Sequence, residues 1–183
     1  MIDTVIAAVY LSFPLVLAGF IHMYIVKKNY LSFLNKPLSL RLFGRNKTWR
    51  GFVVIVLFSI LGVYVLSLVP TGAYVIDEVE FHNLTYPLWI LGALLGLFCA
   101  LFELPNSYMK RRIGIPEGKP APRFPLVFSL IDQSDSVVGC LLVYALFFDV
   151  SWSILLALFV LGTFIHLATN IGLWTLGLRK EPF

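Results

Sequence analysis

The sequence predicts an all-α integral membrane protein of five transmembrane helices, and three observations lead there. First, hydrophobic residues make up 59% of the 183 positions and charged residues 13%, with a mean hydropathy of +0.88. A typical soluble domain has ~45–50% and ~25%, so a soluble globule is excluded, and the chain is far too apolar for disorder. Second, five continuous apolar runs each approach the ~20 residues that a ~30 Å bilayer core requires of a helix. Third, every Lys and Arg falls in alternate connecting segments. A single polytopic domain over residues 1–183 accounts for the length, with short loops.

The first run, Thr4–Val26, has Asp3 as its flanking charge and is too long for the apolar region of a cleaved signal. The second is Gly51–Val69, and the third, Pro87–Leu104, stops just before Pro105. The fourth, Pro125–Phe148, carries Asp132, Gln133 and Asp135 near its start, and the fifth is Trp152–Leu176. Continuous rather than alternating apolarity argues against a β-barrel, and backbone groups in lipid must be satisfied within each segment, which requires helices.

Lys27–Arg50 holds seven basic residues and no acidic one, Pro105–Phe124 holds five basic residues, and the tail adds Arg179 and Lys180. The intervening segments hold Asp3, then Asp77, Glu78 and Glu80, then Asp149, with no basic residue. The positive-inside rule places the N-terminus outside and the C-terminus in the cytoplasm of a multi-pass cell-membrane protein. This bias also explains the pI near 9.1. No nucleic-acid partner is expected, since no aromatic-interleaved basic stripe is present. Cys99 and Cys140 lie in apolar runs without metal spacing and read as buried inert thiols.

Two basic clusters border the spans. Gly44-Arg45-Asn46-Lys47-Thr48-Trp49-Arg50-Gly51 precedes the second span, where the helix dipole is already positive. Cations there are unfavourable unless an anion, typically phosphate, occupies the site. Lys47 and Arg50 are i,i+3 neighbours and share a face if this turn is helical. The alternative is a topology signal with Trp49 as interfacial anchor, and these residues alone favour neither. The second cluster, Ser107 to Arg112, is followed by a Gly- and Pro-rich loop with Lys119 and Arg123.

Carboxylates inside a span cost ~2.5–3.5 kcal/mol each and mark function. Asp132 and Asp135, at i,i+3, lie on one helix face and suit a hard cation. Mg²⁺ is usually held by one or two carboxylates plus substrate phosphates, which fits an active site at the cytoplasmic, basic face. The competing reading is neutralisation by a nearby Lys or Arg. Glu103 is expected to pair with Lys110 or Arg111 rather than join a metal shell. His166 reads as a hydrogen-bonded core residue, whereas Asn170, four residues on, is better placed to touch substrate.

These residues resemble a known family. Phe43 to Gly51, then Ser107-x-x-Lys110-Arg111-Arg112 with Gly114-Ile115 and Gly118-Lys119, then Asp132-Gln133-x-Asp135, and finally His166-x-x-x-Asn170 with Gly177-Leu178 and Pro182 resemble the signatures of CDP-archaeol synthases. The larger phosphatidate cytidylyltransferases share the Ser-Lys-Arg run and the paired aspartates. The resemblance, from about Pro37 onward, implies transfer of a cytidylyl group from CTP to a membrane lipid phosphate, archaetidic- or phosphatidic-acid-like, with pyrophosphate leaving. It implies Asp132 and Asp135 as Mg²⁺ ligands, with Lys110 also catalytic. It implies substrate binding by Lys47, Thr48, Arg50, Ser107, Arg111, Lys119 and Asn170. Archaeal members tend to have a Pro-Ile-Asp run before the first signature, where this chain reads Lys36-Pro37-Leu38-Ser39-Leu40. That departure leaves the lipid open.

Two other readings compete. A small cation-coupled transporter would use Asp132 and Asp135 as its ion site, but transporters often show internal repeats, and five spans cannot be halved. A CDP-alcohol phosphotransferase would need a longer aspartate-rich signature.

Overall fold

A computed structural model describes residues 2–68, 86–117, 119, 121–148 and 150–178, with the side chains of 2–4 left aside. Asp77, Glu78, Glu80, His82, Gly118, Asp149, Arg179, Lys180 and Pro182 lie outside the described residues. Five helices follow in order: α1 Ile2–Lys27, α2 Trp49–Ser67, α3 Leu88–Arg112, α4 Pro125–Phe147 and α5 Trp152–Thr175. Each is long and apolar enough to cross a membrane. Each helix packs on its neighbours in chain order, and α5 closes the ring against α1.

Large apolar side chains point outward along the spans, among them Leu57, Leu61, Leu146, Leu156 and Phe164, as expected of helices that are hydrophobic all round. Inside, one half of the bundle is a solid apolar core built on Leu11, Val63, Leu91, Leu95 and Val143. Small residues let the backbones approach closely there. A Cβ on Gly96 would lie 2.6 Å from the Val56 Cα, and one on Gly139 would lie 2.5 Å from the Phe98 carbonyl oxygen. The other half, toward the ends of α1 and α3 and the starts of α2 and α4, is hollow, with its charged and polar side chains gathered at that end.

The span expectations hold to within a few residues except at α3, which runs two turns beyond Leu104. A proline inside a helix removes one N–H donor, a loss that membrane helices accommodate. Beyond Pro105, Lys110, Arg111 and Arg112 occupy the last turn, where cations complement the dipole. The helix then closes in a Schellman motif, with Ile115 N–H on the Lys110 carbonyl at 2.9 Å and Gly114 N–H on that of Arg111 at 3.3 Å. Gly114 supplies the left-handed residue (φ +78°) that this closure needs. The extension turns what read as a flank into a helix face.

The segment between α1 and α2 folds back on itself. Leu38 N–H bonds the Lys47 carbonyl at 2.8 Å, and Trp49 N–H bonds that of Lys36 at 3.0 Å. Thr48 is extended (φ −120°, ψ 156°) and caps α2, its hydroxyl accepting from Gly51 N–H at 3.3 Å. Lys47 and Arg50 therefore do not share a helical face, because the extended cap between them turns the chain.

Candidate active site

The hollow half of the bundle is a cavity of about 950 Å³. At its polar end, α3 presents Glu103, Ser107, Lys110 and Arg111, and α4 presents Asp132, Gln133 and Asp135. The loops add Lys47 and Lys119, and α5 adds His166 and Asn170. Toward the middle of the bundle the walls become apolar, with Leu11, Leu15, Leu141, Tyr144 and Leu158. Asp132 and Tyr144 both line it, and twelve residues of helix separate them by about 18 Å along α4.

The geometry centres on Asn106, which the sequence reading did not single out. This side chain is 8% exposed, and its amide donates to Asp132 Oδ1 at 2.6 Å and to Asp135 Oδ2 at 3.0 Å. One nitrogen thus ties both carboxylates together from the neighbouring helix. Lys110 Nζ sits on the same Asp132, 2.5 Å from Oδ1 and bonded to Oδ2 as well, and lies 5.9 Å from the centre of the Phe128 ring. Asp135 Oδ1 accepts from the Ser136 backbone N–H at 2.6 Å.

Glu103 does pair with a cation, but with Lys47 rather than the expected Lys110 or Arg111. Lys110 is engaged by Asp132, and Arg111 faces Glu117 at 4.0 Å. Burial works against the Lys47 charge, yet the facing Glu103 carboxylate outweighs it and lifts the ammonium above the usual lysine range. Arg111 is mostly buried, and its Nε and Nη1 have no hydrogen-bond partner among the described residues. A cavity-lining guanidinium with unused donors is matched to a planar or phosphate oxyanion.

Glu117 organises the mouth. It accepts from Arg45 N–H at 3.1 Å, and that bond, then one from its own backbone N–H, and then the Arg111 and Arg45 charges hold its carboxyl below the usual glutamate range. The contact requires Gly44, at φ +84°, because a Cβ there would meet Glu117 Cγ at 2.5 Å. Gly44→Ala is expected to cost about 1–2 kcal/mol from the left-handed backbone alone and to detach the loop from Glu117. A lower thermal unfolding midpoint in detergent would show it, and an unchanged midpoint would refute it.

On the far wall, Asn170 Nδ2 donates to Gln133 Oε1 at 2.6 Å, with both residues buried. His166 Nδ1 lies 3.0 Å from the Gln133 carbonyl oxygen and 3.5 Å from Ser136 Oγ. This polar clasp fastens α5 to α4 beside the carboxylates, consistent with His166 as a hydrogen-bonded interior residue. Thr48 and Arg50 do not line the cavity. Arg50 is 5% exposed and its Nη1 donates to Asn29 Oδ1 at 3.3 Å and to the Tyr30 carbonyl at 3.2 Å, tying the end of α1 to the start of α2. Cys140 is buried and Cys99 partly so, and neither is in a disulfide.

The donor set suits a hard divalent cation. Among the described residues no group of three or more His, Cys, Asp or Glu converges. Asp132 and Asp135, however, are brought onto one amide, and two carboxylates completed by substrate phosphates are the usual provision for Mg²⁺.

Comparison with known proteins places the chain in a family. A family model described as CarS-like, CDP-archaeol synthase, matches residues 1–183. The chain is 35% identical over 146 residues to a CDP-archaeol synthase of Pyrobaculum arsenaticum, covering 78% of this chain and 74% of that protein. It is 36% identical over 143 residues to that of Pyrobaculum calidifontis, with the same coverage. It is 34% identical over 152 residues to that of Methanoregula boonei, covering 78% and 82%. No solved structure matches. With the family model spanning the whole chain and relatives above 30% identity over most of both lengths, this multi-pass membrane protein belongs to the CDP-archaeol synthase family.

Proposed function

We propose that the protein transfers a cytidylyl group from CTP to the phosphate of a membrane lipid, archaetidic- or phosphatidic-acid-like, in the cell membrane. Family membership makes it an enzyme of the nucleotidyltransferase class; the lipid and the reaction course are our reading. A phosphate oxygen of the lipid attacks the α-phosphorus of CTP, the bond to the bridging oxygen of the β-phosphate breaks, and pyrophosphate leaves. The active site faces the cytoplasm, where CTP is available, with the N-terminus outside and the C-terminus inside.

The observation that carries the reading is the two-ended cavity. Cations and paired carboxylates line one end, while apolar side chains line the other. A nucleoside triphosphate fits the first and a lipid chain the second. Lys47, Arg111 and Lys119 hold and neutralise the triphosphate, Ser107 and Asn170 add neutral hydrogen bonds, and Lys110 stands beside the reacting phosphates. Asp132 and Asp135 would hold Mg²⁺, which when bound supplies charge neutralisation on the phosphate oxygens. Thr48 and Arg50 act by shaping the loop that presents Lys47. Catalysis in this arrangement is positioning plus electrostatic stabilisation, so no covalent nucleophile is required. The transporter alternative is not favoured by the family.

Purified protein in detergent, given CTP, Mg²⁺ and a panel of ether- and ester-linked lipid phosphates, should release pyrophosphate and form a CDP-lipid. Absence of product with every lipid phosphate would overturn the proposal.

A further inference from the structure

We propose that Lys110 is a resident counter-ion that holds the place of the divalent cation at Asp132 until metal and nucleotide arrive. The inference rests on the reading of Asp132 and Asp135 as a cation site, and goes beyond it by giving Lys110 two alternating partners. Two carboxylates one helical turn apart inside a membrane span repel each other and are costly to bury without a compensating charge. The compensation is built in. Lys110 Nζ bonds both oxygens of Asp132, and the Asn106 amide bridges Asp132 to Asp135. The Lys110 side chain is 15% exposed and that of Asp132 39%, so the lysine is the more enclosed of the two and its ammonium rests on the carboxylate rather than free in solvent.

A divalent cation held by Asp132 would stand beside an ammonium bonded to the same two oxygens, and the two positive charges would repel at close range. On cation binding, Lys110 must leave Asp132, and its flexible stem lets it turn within the cavity it already lines, toward Ser107 and Arg111 on the same helix. There it faces the anionic groups of the triphosphate. Departure from Asp132 and arrival at phosphate are then one movement. Cation binding and nucleotide binding favour each other through that side chain, and the favour is reciprocal. Glu103 does not substitute as the partner, because it is engaged by Lys47.

The test is Mn²⁺ binding to the full chain in detergent without nucleotide, read from the electron paramagnetic resonance signal of free Mn²⁺ at mildly alkaline pH. Lys110→Met removes the competitor and should bind Mn²⁺ at least about fivefold more tightly than the wild type, at the low end of ordinary coupling strengths. Lys110→Gln serves the same purpose should the Met variant not fold. Lys110→Arg retains the charge and should remain weak. Equal or weaker Mn²⁺ binding by a folded neutral variant overturns the counter-ion role, as does tightening by Lys110→Arg. Asp132→Asn separates the two levels of the argument. If it loses Mn²⁺ binding while Lys110→Met fails to tighten it, the counter-ion role falls and the cation site stands. If Asp132→Asn binds Mn²⁺ like the wild type, the cation site falls, and the counter-ion role with it.

Discussion

Asp132→Asn and Asp135→Asn should each lower CTP-dependent turnover by at least about a thousandfold, since a catalytic metal stabilises transition-state charge by several kcal/mol and each 1.36 kcal/mol is a factor of ten in rate. Both substitutions keep the shape of the side chain and leave an amide oxygen able to accept from Asn106. The bundle should therefore fold and elute as the wild type does. What each removes is a negative oxygen facing the polar end of the cavity. The variants differ in one respect: Asp132→Asn also strips Lys110 of its ion-pair partner, whereas Asp135→Asn leaves that pair in place. Initial rates at saturating CTP and lipid phosphate decide the matter. Turnover within about tenfold of wild type in both folded variants would remove the carboxylates from the catalytic machinery.

The helices were legible because a membrane span leaves little freedom. An apolar run of sufficient length, bounded by charge, is nearly a complete specification of a helix. The exception, α3, shows where that logic ends. Hydropathy stops at Leu104, whereas the helix continues through Pro105 to Arg112, carried by its C-terminal cations and by Gly114. With the extension in place, Glu103, Ser107 and Lys110 form a stripe at helical spacing, and Asn106 falls beside it. Without it, Asn106 reads as a loop residue. The pairing of Lys47 with Glu103 was hidden for a different reason. It joins residues 56 apart through the docking of a loop on a helix end, which no local spacing encodes. Lys47 and Arg50 went separate ways because Thr48 took an extended cap conformation. The paired aspartates were visible because burying charge in a span is expensive enough to need a reason.

Asn106→Leu should reduce turnover by about 10- to 100-fold, the usual cost of losing a residue that orients metal ligands, and should raise the Mg²⁺ concentration needed for half-maximal rate. Leucine retains the volume of the buried side chain but cannot donate to either carboxylate. Asp132 would keep Lys110 and Asp135 would keep the Ser136 N–H, so each carboxylate would remain partly satisfied while their mutual alignment is lost. The metal dependence separates this role from simple packing. A structural defect lowers the thermal midpoint and the fraction of active protein, yet leaves the Mg²⁺ requirement of the remaining molecules unchanged. A positioning defect shifts that requirement at a constant active fraction, and leaves the KM for lipid phosphate near the wild-type value. Mg²⁺ titrations of initial rate, alongside a thermal melt, give both readings from one preparation. An unshifted Mg²⁺ requirement with normal turnover would mean that the amide between Asp132 and Asp135 plays no part in aligning them.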